Sequence, residues 1–123
     1  MPKFMWPAQI LQVAMPLLGD TVNSAPFVIP QSCRESSFHI PTLAGGASCS
    51  LQALDFQNAE TSPVWRQVFV FNVSGGTITQ LTGMAGNQVT TLPTAATGVG
   101  NFRLVATGDQ SGAPVIITVI LAF

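Results

Sequence analysis

His39 is the one histidine of the chain, and Ser36 and Ser37 stand just before it. On a strand, Ser37 and His39 share a face, which is the first requirement of a nucleophile–base pair. No catalytic motif surrounds them, however, and no G-x-S-x-G occurs. Asp55 and Glu60 flank one turn and are spaced so that two carboxylates could meet, but a solvated turn explains them without chemistry. Cys33, Cys49 and His39 supply three zinc-type ligands, with no C-x-x-C and no second histidine to complete a tetrahedral set. Gly98-Val99-Gly100 is followed three residues on by Arg103 rather than glycine, so it is not a phosphate fingerprint. Asn72-Val73-Ser74 fits a glycosylation sequon, a tripeptide that arises often by chance. The census points to no catalytic residue, no metal and no cofactor. The chain is expected not to be an enzyme, and its product is a shape.

The elements that set this shape are strands. Val64 to Val73 is rich in β-branched and aromatic residues, and Gly75-Gly76 separates it from Thr77 to Leu81. That pattern is a hairpin signal, because glycine tolerates positive φ in tight turns. A second hairpin is expected from Asn101 to Thr107, through Gly108 to Ala113, into Pro114 to Phe123. Gln88 to Leu92, Ser36 to Leu43, Ser50 to Phe56 and the short Phe27 to Ile29 complete the set. The fold class is therefore all-β, a single antiparallel β-sandwich or barrel of about seven strands.

The first 30 residues differ from the rest. Five of the nine prolines lie there: Pro2, Pro7, Pro16, Pro26 and Pro30. Residues 1–30 are expected to form an N-terminal arm or short helix, and residues 31–123 the β-sandwich domain. Ala8 to Met15 could be a helix with Pro7 at its first position, or an extended arm. Its apolar side chains exclude a free tail in water. Either the segment packs on its own sandwich or it crosses to a neighbour.

The closing strand, Pro114 to Phe123, offers Thr118 as its single hydroxyl and no charge. A strand with one solvated face alternates apolar and polar residues, so both faces of this one want cover. Charge tells the same story for the whole chain. Nine of 123 residues are charged, 7%, where an ordinary domain carries roughly 25%. The polar inventory is instead 12 Thr, 9 Gln, 9 Ser and 5 Asn, groups that enter a protein interface at small desolvation cost. Four basic residues cannot match the roughly 6–10 phosphates that a duplex binder contacts, so nucleic acid is not an expected partner. No run of 18 apolar residues exists for a spanning helix. The sequence also has no tyrosine for the aromatic girdles of a membrane barrel, so a membrane is not expected either. Gln12 and Pro16 interrupt the only stretch that imitates a signal peptide. With no secretory route, Cys33 and Cys49 are expected as thiols. A disulfide between them would contribute roughly 3 kcal/mol.

The low charge, the Pro-rich apolar start from Pro2 to Pro30, Val64-Trp-Arg-Gln-Val-Phe-Val-Phe71 and the apolar closing strand together carry a resemblance. In style along the whole chain, the sequence resembles small all-β virion proteins of tailed bacteriophages, of the capsid decoration or cement type. The resemblance implies a structural virion protein, assembled in the host cytoplasm, that binds the completed shell and stabilises it. It implies the major capsid protein or another virion protein as partner, and a homotrimer or homodimer as the working unit. The interface residues expected on that basis are Phe4, Trp6, Ile10, Leu11, Leu17 and Leu18 of the N-terminal segment, with Ile116, Ile120 and Phe123 of the closing strand. The alternative is a receptor- or glycan-binding β-module of a phage tail or cell surface, for which Trp65 with Gln67 is the one candidate site.

Overall fold

The computed structural model describes residues 8–16, 20–55, 64–72, 76–80, 83–112 and 115–123. Its strands are β1 (Ala8–Met15), β2 (Phe27–Ile29), β3 (Glu35–Ile40), β4 (Ser48–Leu54), β5 (Trp65–Gln67), β6 (Phe69–Asn72), β7 (Thr77–Gln80), β8 (Met84–Ala85), β9 (Gln88–Pro93), β10 (Gly100–Ala106) and β11 (Val115–Ala122). A four-residue helix, α1 (Thr94–Thr97), and a 3-10 turn at Ala44–Gly46 interrupt them. Two antiparallel sheets face each other. The front sheet has the order β1-β11-β3-β9, and the back sheet β2-β10-β4-β5 with β8 also on β4. The fold is thus an all-β sandwich, and β6 and β7 form a separate hairpin beside it.

Alternation along each strand builds the core. Val13 and Met15 of β1, Phe38 and Ile40 of β3, and Ile117, Val119 and Leu121 of β11 point inward from the front sheet. Phe27 and Ile29, Cys49 and Leu51, and Phe102 and Leu104 meet them from the back. Phe27 links the layers, with ring centroids 6.1 Å from Phe38 and 6.3 Å from Phe102. Both cysteines are buried free thiols, and burial alone pushes Cys49 up to about 11, which leaves it unreactive.

Three expectations need correcting. Ala8–Met15 is not a helix; of the two alternatives for its apolar side chains it takes the first and packs on its own sandwich. It is β1, in register with β11 from Ala8 opposite Ala122 to Met15 opposite Val115. Pro16 follows the strand directly, where it costs no ladder bond. The closing hairpin does not form either, because β10 lies in the back sheet and β11 in the front. Both edges of β10 are taken by β2 and β4, and both edges of β11 by β1 and β3, so neither has an edge free for the other. Finally, Val64 to Val73 is not one strand. It breaks at Val68, whose N–H donates to the Leu51 carbonyl, and this releases β6 from the back sheet to pair with β7.

Ser36 is the exception in the core. It lies on the inward face of β3, opposite Leu121 and Leu92, and is fully buried. Its Oγ has no hydrogen-bond partner among the described residues. A buried hydroxyl without a partner carries its full desolvation cost. Ser36→Ala should therefore stabilise the fold by about 1 kcal/mol. Urea unfolding should show a higher midpoint at unchanged slope.

Candidate functional site

The outer face of the front sheet can be read row by row across β1, β11, β3 and, where β9 reaches, the fourth strand. One row is Ile10, Ile120, Ser37 and Thr91, and the next is Gln12, Thr118, His39 and Val89. Ala14 and Ile116 begin a third. At the other end, Ala8, Ala122, Glu35 and Pro93 close the face, and Glu35 is its one charge among the described residues. Ile10 is 66% exposed, Val89 56% and Ile116 47%. Between Val89 and Ile116 lies a shallow depression of about 320 Å³, lined also by His39 and Thr118. The Ser37 hydroxyl is hydrogen-bonded to that of Thr91 at 2.9 Å.

The fold therefore brings together Ile10, Ile116 and Ile120 of the expected interface residues, and places Ile10 directly opposite Ile120. Val89 belongs to the same face and was missed, because its neighbour His39 is 50 positions away in the sequence and the pairing of β3 with β9 is not written in either segment. Leu11 and Phe123 are half-buried and pack on the core, so they are not part of this surface. Phe4, Trp6, Leu17 and Leu18 lie outside the described residues. The closing strand turns one face to the core and leaves the other, Ile116 to Ala122, half-open to solvent.

The outer face of the back sheet mixes apolar residues (Val28, Leu54, Trp65) with polar ones (Gln52, Asn101, Arg103). A cleft of about 430 Å³ is lined by Asp20, Asn23, Leu54, Trp65, Asn101 and Arg103 among others. The Arg103 guanidinium lies 4.7 Å from the centroid of the Trp65 ring, and its Nε donates to Gln52 Oε1 at 2.8 Å. Burial lowers the pKa of Arg103 while the Asp20 carboxylate opposes that shift. Asp20 is already engaged in a turn: Oδ1 accepts from the Val22 and Asn23 N–H groups, and Oδ2 accepts from Asn23 Nδ2 at 2.6 Å. The Val22 N–H is the first cause that holds this carboxyl below its usual range. Trp65 thus has a cation stacked on its ring instead of a bare platform.

The other sequence candidates do not converge. Cys33 and Cys49 face inward while His39 is on the outer face, and no group of three potential metal ligands forms among the described residues. Asp55 pairs with Arg66 at 3.0 Å, and Glu60 lies outside the described residues. No helix among the described residues is long and apolar enough to cross a membrane.

The site is thus a two-sheet sandwich whose front outer face mixes apolar and neutral polar residues and carries one charge, Glu35, among the described residues. Among solved structures the fold is similar to that of the SPBc2 prophage-derived protein YomS. The TM-score is 0.58 over 99% of this chain and 100% of that one, at 10% sequence identity. No family model matches the sequence, and neither does any curated protein.

Proposed function

We propose that the chain is a structural subunit of a tailed-phage particle, a decoration or cement protein that binds the assembled shell through the outer face of the front sheet. The observation that carries this reading is the solvent-facing set Ile10, Val89 and Ile116, with Ile120 between strands, on a face that bears one carboxylate at its rim. Exposed isoleucine and valine side chains set among neutral polar groups (Gln12, Thr118, His39 and Ser37) on an almost uncharged face are the composition of a protein contact. The prophage origin of a protein with the same fold supports the phage setting. The partner is the major capsid protein or another virion protein, and the site of action is the virion. The mechanism is mass action: a subunit that binds the completed shell better than free capsomers stabilises the shell by that difference. Repetition over a symmetric lattice adds avidity.

The test is to add the purified chain to shells stripped of accessory proteins. Cosedimentation with shells but not with free capsomers, together with a higher shell melting temperature, is expected. Failure to cosediment at saturating concentration rejects the reading.

A further inference from the structure

Edge strands present unpaired backbone groups, and proteins usually blunt them by keeping them short, charging them or covering them. Three of the four edges here obey. The back sheet ends in β2 and β5, each three residues long. The front-sheet edge β9 ends at Pro93, runs straight into α1, and α1 lies against β6. The fourth edge, β1, does not obey among the described residues. Its sequence Ala-Gln-Ile-Leu-Gln-Val-Ala-Met is eight residues long, has no charge and no proline, and is paired without a bulge along its whole length to β11.

The hydrogen bonds show which groups face outward. The Ala14 carbonyl accepts from the Ala25 N–H at 3.0 Å, so Ala14 points away from β11. In an antiparallel ladder the N–H and C=O of one residue point the same way, and alternate residues share that direction. Ala8, Ile10 and Gln12 therefore direct their backbone groups to the open side. Just inside that edge lies an open groove of about 490 Å³ between the sheets, walled by Leu11, Val13, Ala25, Phe27 and Val28.

We propose that two copies of the chain join edge to edge through β1, antiparallel about a two-fold axis at Ile10. In this register Ala8 meets Gln12 of the partner subunit, and Ile10 meets its own counterpart. The three outward residues of each copy are all used, and each pair exchanges two main-chain bonds. A register moved toward Met15 would need Ala14, whose carbonyl is already engaged by Ala25. A two-fold contact requires a self-complementary surface, and an uncharged strand carries nothing to repel its copy. Leu11 of the partner subunit falls on the inward side of the new pair, at the mouth of the apolar groove. On the outward side, the Ile120–Ile10 row of one copy continues into that of the other. The contact makes one eight-stranded sheet from two four-stranded ones and doubles the apolar face. A few main-chain bonds and two side chains per copy form a small interface, so the dimer dissociates on dilution. The proposal concerns the free protein and stands apart from the phage-particle reading.

Ile10→Cys tests the register. Directly opposed Cα atoms in a hydrogen-bonded pair are roughly 5.5 Å apart, inside the roughly 4.4–6.8 Å range that a disulfide spans. Mild oxidation should cross-link this variant into a dimer. Val89→Cys, similarly exposed but on the opposite edge, should stay monomeric on a non-reducing gel. The native thiols are buried and do not compete. Gln12→Pro is the second variant. Its lost N–H points outward and serves no bond among the described residues, so the fold should persist by circular dichroism. Sedimentation should show the wild-type monomer–dimer equilibrium weakened at least about tenfold in Gln12→Pro. The proposal is overturned if Ile10→Cys cross-links no better than Val89→Cys. It is equally overturned if the wild type sediments as a monomer at all concentrations or as a trimer, or if folded Gln12→Pro dimerises as the wild type does.

Discussion

Gln110→Ala should lower the stability of the chain by about 2 kcal/mol, a drop in melting temperature of roughly 7 °C for a domain of this size. The side chain is 1% exposed and occupies the crossover from the back sheet to the front. Its Oε1 accepts from the Ala44 N–H at 2.8 Å, and its Nε2 donates to the Ala44 carbonyl at 3.1 Å and the Gly108 carbonyl at 3.2 Å. Its own N–H donates to the Thr21 carbonyl at 2.8 Å. One amide thus satisfies the backbone of the 3-10 turn and of the crossover together. Alanine would take the partner from the Ala44 N–H and the Gly108 carbonyl, while the Ala44 carbonyl keeps the Ala47 N–H at 3.4 Å. Each lost bond costs about 1 kcal/mol where water reaches the group, and the emptied side-chain site adds to it. Gln110→Glu separates hydrogen bonding from packing. It keeps the volume but cannot donate to the two carbonyls when ionised, so it should be at least as destabilising at neutral pH and should recover partly in acid. Thermal melts of the three proteins across pH decide it. A glutamate variant as stable as wild type at neutral pH would show that the amide donors do not matter.

What the sequence revealed about the fold follows from how far each signal reaches along the chain. The β6–β7 hairpin rests on two adjacent runs and a glycine turn, with Gly76 at φ 63°, and such local grammar can be read directly. The same grammar misleads at β10 and β11. They are neighbours in the chain, but each finds its partners elsewhere, and edge occupancy is a property of whole sheets. Composition misleads at β1, where the proline that follows the strand looks as though it interrupts it. Short elements such as β8 and α1 are below the length at which periodicity can show.

The candidate face divides in the same way. The apolar character of both end segments announced Ile10, Ile116 and Ile120, and what the fold supplied is the register that sets Ile10 directly opposite Ile120. Val89 reaches the face only through β3, and the stacking of Arg103 on Trp65 joins residues 38 positions apart with no motif to connect them. Gln110 gave no signal at all, since a lone glutamine in a polar loop reads as solvated until its burial is known.

The double variant Ile116→Lys with Ile120→Lys should abolish attachment to stripped shells while leaving the free protein folded. In the isolated chain both positions lie on the outer face of β11, and Ile116 is 47% exposed, so lysine can keep its stem on the sheet and its ammonium in water. The melting temperature should therefore move little, as for other surface changes. In the complex the same two ammonium groups would be taken out of water with no partner, and the face supplies no nearby carboxylate except Glu35 at its rim. The lost apolar contact alone is worth roughly 1.5–3 kcal/mol for each side chain fully buried, and the unpaired charges add to it. Affinity should fall at least about a hundredfold, beyond detection in a cosedimentation assay. Ile116→Thr with Ile120→Thr, which keeps β-branching without adding charge, should bind with intermediate strength. If the lysine variant melts like the wild type and still binds shells equally well, the front face is not the contact surface, and attachment must run through another part of the chain.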